Sequence, residues 1–308
     1  MTAPRINHGP RQRLPRTVKP FRDETAHSFL RRLAAANHVS VTDLQPLIGS
    51  VGGKRPNPEW VSIVTGWPES VLVDRLHGLT APEPRHQPTG TLCRFCAARR
   101  NVFEQVTVYR HLHINVCLRH QLWIGGNHHT QQLDISPLPE LLTAQRTHHR
   151  LVRRHGIESA DAAYTDATRI IDRWMEQPAS TIRRERRLRT CFPGRHTQDP
   201  ISWTETEIVN YPEAVALTGI LISEHWTSKA ISLGPRKDGL RQFYAEVRRR
   251  LDFDIRPTTF GDPMVTWVND KQYALELARY RSDRTRTARR PHTSTIWQEY
   301  HQAALPQI

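Results

Sequence analysis

Apolar residues in the first eighty positions recur at helical spacing in short runs. In DETAHSFLRRLAAAN, Ala26, Phe29, Leu30, Leu33 and Ala34 fall at i, i+3 and i+4 and mark one helical face, with Arg31 and Arg32 off it. Asp23 and Glu24 suit the start of this helix and Asn37 its end. Ser40, with Asp43 three residues on, caps a second short helix. Asn57-Pro58 opens a third in PEWVSIV, which stops at the turn Thr65-Gly66-Trp67. Pro68-Glu69 then opens ESVLVDRLHGL, whose inner face is Val71, Leu72, Leu76 and Leu79.

Helix, glycine turn, helix is the outline of a helix-turn-helix. The second helix would be the DNA reader, yet it carries Glu69 and Asp74 and only Arg75 as a cation. Acids there face phosphates unfavourably, so partner docking is the better expectation for that helix.

The pattern then changes. APEPRHQPTG, residues 81–90, reads as a linker. Partial alternation through VFEQVTVYRHLHINVC marks two short strands, around Val106 and Val108 and around Leu112, Ile114 and Val116. From Pro137 the period returns to helical. LPELLTAQRTHHRLVRRHG ends at Gly156, and ADAAYTDATRIIDRWMEQ buries Ala163, Ala167, Ile170, Ile171 and Trp174. STIRRERRLRTC follows, and residues 193–201 form a break. TETEIVNYPEAVALTGILISEHW and LRQFYAEVRRRL are helical, and a last short helix is expected around Ile296 to Leu305.

The pattern predicts a mainly α fold: a basic flexible arm (1–22), a helical helix-turn-helix-like domain (23–80), a small zinc-ribbon module (91–130) and a basic helical region (137–308). No stretch approaches the roughly 20 apolar residues of a membrane span. The longest candidate, Ala214 to Ile222, reads as a buried helix. The N-terminus lacks the apolar core of a signal peptide, so a cytoplasmic setting with reduced thiols is expected.

Charge adds a partner class. The 308 residues carry a formal net charge of +14, most of it from arginine, and a polyanion such as DNA is the default partner. The densest cationic patch is Arg183, Arg184, Arg186, Arg187 and Arg189, with Glu185 among them. These five are the candidate nucleic-acid contacts. RSDRTRTARRPHTS is a second basic tract near the end.

Candidate chemistry sits between the two helical regions. TLCRFC places Cys93 and Cys96 on one turn, and VCLRH places Cys117 and His120 on another. Two short chelating pairs joined by a loop are what a tetrahedral Zn2+ site requires. Four protein ligands leave no open position for water, so the site is expected to be structural. His111, His113 and the His128-His129 pair are alternative fourth ligands; His120 is preferred because it shares its turn with Cys117. Cys191 stands alone and reads as a small, partly buried residue.

No phosphate-cradling glycine loop, nucleophile elbow or dinucleotide fingerprint appears. His128-His129 and His148-His149 have no acidic cluster beside them, and the acids are too scattered for a two-metal nuclease or transposase. No catalytic residue is expected.

Two segments together resemble the TniQ family of transposition-associated proteins, also called TnsD-like. They are PFRDETAHSFLRRLAAANHVS, and CRFC followed by VCLRHQLWI, and the resemblance covers about residues 14–156. It implies a helix-turn-helix region joined to a zinc ribbon, with ligand roles falling on Cys93, Cys96, Cys117 and His120. It also implies a non-catalytic DNA-binding adaptor in target-site selection, working with an ATPase regulator and a separate transposase. Some members dock on an RNA-guided complex, and some form homodimers. Many relatives continue with a second cysteine-rich ribbon; GGNHHTQQLDISPLPEL has no cysteine. A stand-alone DNA-binding regulator is therefore the alternative, beside a protein–protein scaffold.

Overall fold

The computed structural model describes residues 9–50, 55–80, 89–125, 132–175, 182–195, 200–231, 238–251 and 261–288. The fold is mainly helical, as the periodicity predicts. Among the described residues no helix is long and apolar enough to cross a membrane.

The head is built from α1 (Ala26–Ala36), α2 (Val41–Leu44), a 3-10 turn (Gln45–Ile48), α3 (Pro58–Thr65) and α4 (Glu69–Arg75). Local chemistry sets each boundary. The Thr25 hydroxyl caps α1, Ser40 and Asp43 form a capping box on α2, and Asn57 caps α3 with proline at its first position. Gly66 ends α3 in the left-handed region at φ 71°, the turn between the last two helices. Phe29, Leu33, Leu44, Val61 and Leu72 close the core. Leu76 and Leu79 are buried too, but α4 stops before them at Arg75.

The N-terminal arm is not free. From Gly9 onward it lies against the head: Gly9 packs on Trp60 and the Arg13 side chain on Gly66, Leu14 N donates to Val64 O at 2.9 Å, and Asn37 bonds the Arg16 backbone through both ends of its amide. Trp67 Nε1 donates to Val18 O at 2.9 Å. The backbone's need for partners thus overrides the basic, proline-rich composition that predicts a flexible arm across residues 1–22; residues 1–8 lie outside the described set.

A small sheet ties the head to the cysteine-bearing segment. β1 (Glu24–Thr25) pairs in parallel with β2 (Leu76–His77) and antiparallel with β4 (Thr107–Tyr109), which pairs with β3 (Thr89–Thr91). The order is β2-β1-β4-β3, so two stretches separated by a linker in sequence share one sheet. Ser28 Oγ accepts from Thr107 N, and Arg31 donates to Gln105 O, which adds side-chain stitches across the joint.

At that joint two charged residues depart from the positions that the helical pattern predicts. Arg32 is not off the apolar face but buried, and Glu24 is fully buried in β1 rather than starting α1. Arg32 Nε donates to Glu24 Oε1 at 2.9 Å and its Nη2 to Oε2 at 2.7 Å. Ser28 Oγ and Phe21 N also donate to that carboxylate. The guanidinium lies 5.0 Å from the centroid of the Phe21 ring. A sequence window cannot see that two opposite charges eight positions apart cancel each other inside a core.

The body contains α6 (Pro139–His155), α7 (Ile157–Met175), α8 (Ile182–Cys191), α9 (Trp203–Leu221), α10 (Glu224–Ile231), α11 (Asp238–Leu251) and α12 (Pro263–Ala288), following α5 (Arg94–Ala98) of the cysteine segment. α9 runs through the centre, with Ile208, Tyr211, Val215, Leu217 and Ile220 buried among the neighbouring helices. The continuous helix expected through His225 instead breaks at Ile222–Ser223 and restarts as α10. Part of the second basic tract lies in α12; the helix expected at Ile296 to Leu305 is outside the described residues.

Removing one partner of a buried pair leaves the other charge uncompensated, at a cost of about 3–5 kcal/mol. Glu24→Ala should therefore lower stability by that order in urea unfolding, while Arg31→Ala, on the exposed side of α1, should cost about 1 kcal/mol or less. Equal unfolding midpoints for the two variants would refute this role for the pair.

Candidate metal centre

Two local structures present the four donors. Cys93 leaves β3 and caps α5, which puts Cys96 one helical turn further on. The second pair lies on the hairpin of β5 (Val116–Cys117) and β6 (Leu122–Trp123), where Cys117 faces Leu122 across the ladder. His120 sits in the connecting turn. Gln121 follows in the left-handed region at φ 52°, its N–H donating to Cys117 O at 2.7 Å. In each pair the third residue on turns its backbone N–H toward the first sulfur: Cys96 toward Cys93, His120 toward Cys117.

The donor atoms of Cys93, Cys96, Cys117 and His120 all lie within 4.8 Å of one another. Cys96 Sγ is 3.8 Å from Cys117 Sγ. His120 Nδ1 lies 3.3 Å from the sulfurs of Cys93 and Cys96 and 3.5 Å from that of Cys117. A tetrahedral ion bonded to thiolate and imidazole at ordinary lengths sets its sulfurs about 3.8 Å apart and sulfur from nitrogen about 3.5 Å. The spacing of the four donors is that of a metal's coordination shell, and the group can hold a metal ion. The thiols are free, with no disulfide among them.

Three sulfurs this close cannot all carry negative charge without a cation. The hydrogen bond shared with Cys93 holds Cys117 down to about 4, and the same bond pushes Cys93 far up. Burial and the nearby Cys117 raise Cys96. A bound dication would take the place of the shared protons. Arg119 favours the Cys96 thiolate, and so offsets part of the net negative charge of a three-thiolate shell.

The supporting residues escaped the sequence reading. Gln132 is nearly buried; it accepts from Arg94 N at 2.9 Å and donates to Thr91 Oγ1 and Leu92 O, pinning the backbone on both sides of Cys93. Gln145 of α6 accepts from the N–H groups of Asn115 and Val116 and donates to His113 O at 2.6 Å, which fastens the hairpin to the body. Tyr211 of α9 donates to the same glutamine at 3.0 Å. No pattern marks a lone glutamine as a clamp; only its complete burial does.

Of the alternative ligands, His111 and His113 stack on each other, with ring centroids 5.4 Å apart, and belong to no candidate metal group among the described residues. His128-His129 lies outside those residues. His148 is fully buried, pushed down to about 3 chiefly by that burial, and therefore neutral. Cys191 is buried in the body, where burial pushes its thiol up to about 11.

The arginine patch on α8 is largely internal. Arg184 and Arg187 are buried, which corrects their assignment as nucleic-acid contacts. Arg184 donates to Asn210 Oδ1, and Arg187 Nη2 lies 2.7 Å from both oxygens of Glu213. Arg183, Arg186 and Arg189 are exposed, but Arg186 pairs with Glu140 of α6 and Arg189 with Glu185 at 3.5 Å. A helix with arginines on every side must turn some of them inward, and they are tolerated there because α9 supplies Asn210 and Glu213.

With this geometry in hand, comparison with protein-family models, curated proteins and solved structures finds no match to the chain.

Elemental analysis of the purified protein should give about one bound metal ion per chain. Cys117→Ser should lose that metal and release the cysteine segment from its fold, seen as protease sensitivity near residues 93–123. Binding should weaken as pH falls, because protons compete for the sulfurs, and metal titration in weak buffer should release protons. Full metal retention by the serine variant would rule the site out.

Proposed function

We propose that the protein is a non-catalytic, zinc-containing DNA-binding adaptor of the TniQ type, acting in target-site selection for DNA transposition. The observation that carries this reading is the shared sheet. β1 lies inside PFRDETAHSFLRRLA and pairs with β4, which lies between CRFC and VCLRH and pairs in turn with β3, the strand just before Cys93. The sheet thus joins the stretch around the first segment to the loop that connects the two ligand pairs, which supports reading the two segments together.

Zinc is the ion that a three-thiolate, one-imidazole tetrahedron favours. The shell has four protein ligands, which suits a structural role. The formal charge of +14 supports a polyanionic partner. Binding by several phosphate contacts predicts a gel-shift affinity that falls steeply with salt. Absence of any DNA complex at low salt would remove the DNA role.

A second reading is a scaffold that docks an ATPase regulator or an RNA-guided complex. Glu69 and Asp74 are exposed on α4, and its single cation, Arg75, donates to Pro20 O at 3.3 Å. A helix with two exposed acids and its arginine turned to the protein suits a basic protein partner better than phosphate. If this reading holds, Glu69→Lys with Asp74→Lys should abolish co-purification with such a partner while leaving DNA affinity within about twofold.

A further inference from the structure

α6 turns Gln145 and His148 inward and arginines outward. Arg146, Arg150 and Arg153 are exposed and recur at i, i+4 and i+7, along roughly 10 Å of one helix side. They line a cleft of about 740 Å³ together with His149 of the same helix and His113 of the segment leading to Cys117. The lining contains no carboxylate. Among the described residues these three arginines form no ion pair, unlike Arg186 and Arg189 of α8. Three like charges sharing one concave surface repel one another, and an anion relieves that repulsion.

The histidines add hydrogen-bonding capacity. Gln145 Nε2 lies 2.8 Å from His149 Nε2, and the amide can only donate. The neutral ring therefore carries its proton on Nδ1, as a donor. Burial, His113 and Arg153 together lower the affinity of His149 for a second proton. His113 is nearly buried; its Nδ1 has no hydrogen-bond partner and lies 3.8 Å from Asp161 Oδ1. Gln145 fixes the backbone of His113 and the ring of His149 at once, so both sides of the cleft hang on one buried amide.

We propose that this cleft grips the phosphodiester backbone of DNA, with Arg146, Arg150 and Arg153 on successive phosphates and His149 as a neutral donor. The inference rests on the DNA-binding reading and moves the contact from α8 to α6. Roughly 10 Å of helix matches the axial rise of about three nucleotides of one strand. One wall comes from the metal-bearing segment and the other from the body, so the grip requires the module to be docked.

The test is fluorescence anisotropy of a labelled DNA duplex across a salt series. It compares the full chain, the triple variant Arg146→Ala, Arg150→Ala, Arg153→Ala, and the triple variant Arg183→Ala, Arg186→Ala, Arg189→Ala. Each lost phosphate contact lowers the log–log salt slope by about 0.9, so the α6 variant should lose between two and three units of slope and about a hundredfold in affinity. The α8 variant should change by less than one unit. Restoring charge with lysine at all three α6 positions should recover most of the slope. Circular dichroism and metal content should match the parent protein, since all three residues are exposed.

An unchanged slope in the α6 variant, with the parent still bound to DNA, overturns the cleft assignment and leaves the DNA reading standing. A parent protein that binds no DNA at low salt overturns both. Calorimetry with pyrophosphate separates the source of the phosphate. Binding that the α6 variant loses, without any change in duplex affinity, would make the cleft a small-anion site and overturn its assignment to DNA.

Discussion

The carboxylate of Glu24 can be buried only because Arg32 is buried with it. A lone charge of either sign at that depth would cost several kcal/mol, whereas the forked pair, with Ser28 and Phe21 N as further donors, satisfies the carboxylate. The same residue lends its backbone to β1, between the strand that follows α4 and the strand that precedes the second metal pair. The ion pair therefore fixes β1, and the β1–β4 ladder with the bonds of Ser28 to Thr107 and Arg31 to Gln105 sets the cysteine segment against the head. Replacing the pair with apolar groups could keep the stability, but it would remove the directional bonds that hold β1 in place.

A second buried polar group does the corresponding work on the other side. Gln145 bonds His113, Asn115, Val116, His149 and Tyr211, and no apolar contact could select that register. Arg110 reinforces it by bonding Asn115 and pairing with Glu207 of α9 at 3.1 Å. The cysteine segment is thus held at both ends by polar side chains and internally by its four clustered donors. It has little apolar core of its own: Val116 and Trp123 belong to the core of the body. A bound metal would supply the folding energy that so small a segment lacks, which gives the four donors a structural purpose.

Charge is distributed by the same logic. The arginine-rich helix α8 spends two cations on α9 and pairs two more with acids, so density in sequence does not translate into a free cationic surface. α6 is less dense, but its arginines are phased to one exposed side, beside a cleft. Phase relative to the core, more than count, decides which cations are available to an anion.

Sequence by itself determined the helical periods, most of the caps and the four donors. These depend on residues within a few positions of one another, and local backbone chemistry or chelate spacing dictates them directly. The capping box at Ser40, proline after Asn57, the turn at Gly66 and the Cys93–His120 set are all of this kind. Tertiary structure alone decided that Arg32, Arg184 and Arg187 face inward, that Gln132 and Gln145 act as clamps, and that the arm docks from Gly9 onward. Each of those outcomes turns on a partner tens of positions away or on the solvent a side chain loses, except the near pairing of Arg32 with Glu24, which still needed burial to give it weight. Charge and hydrogen-bonding capacity are written in the chain; whether they meet water or each other is settled only when the elements pack.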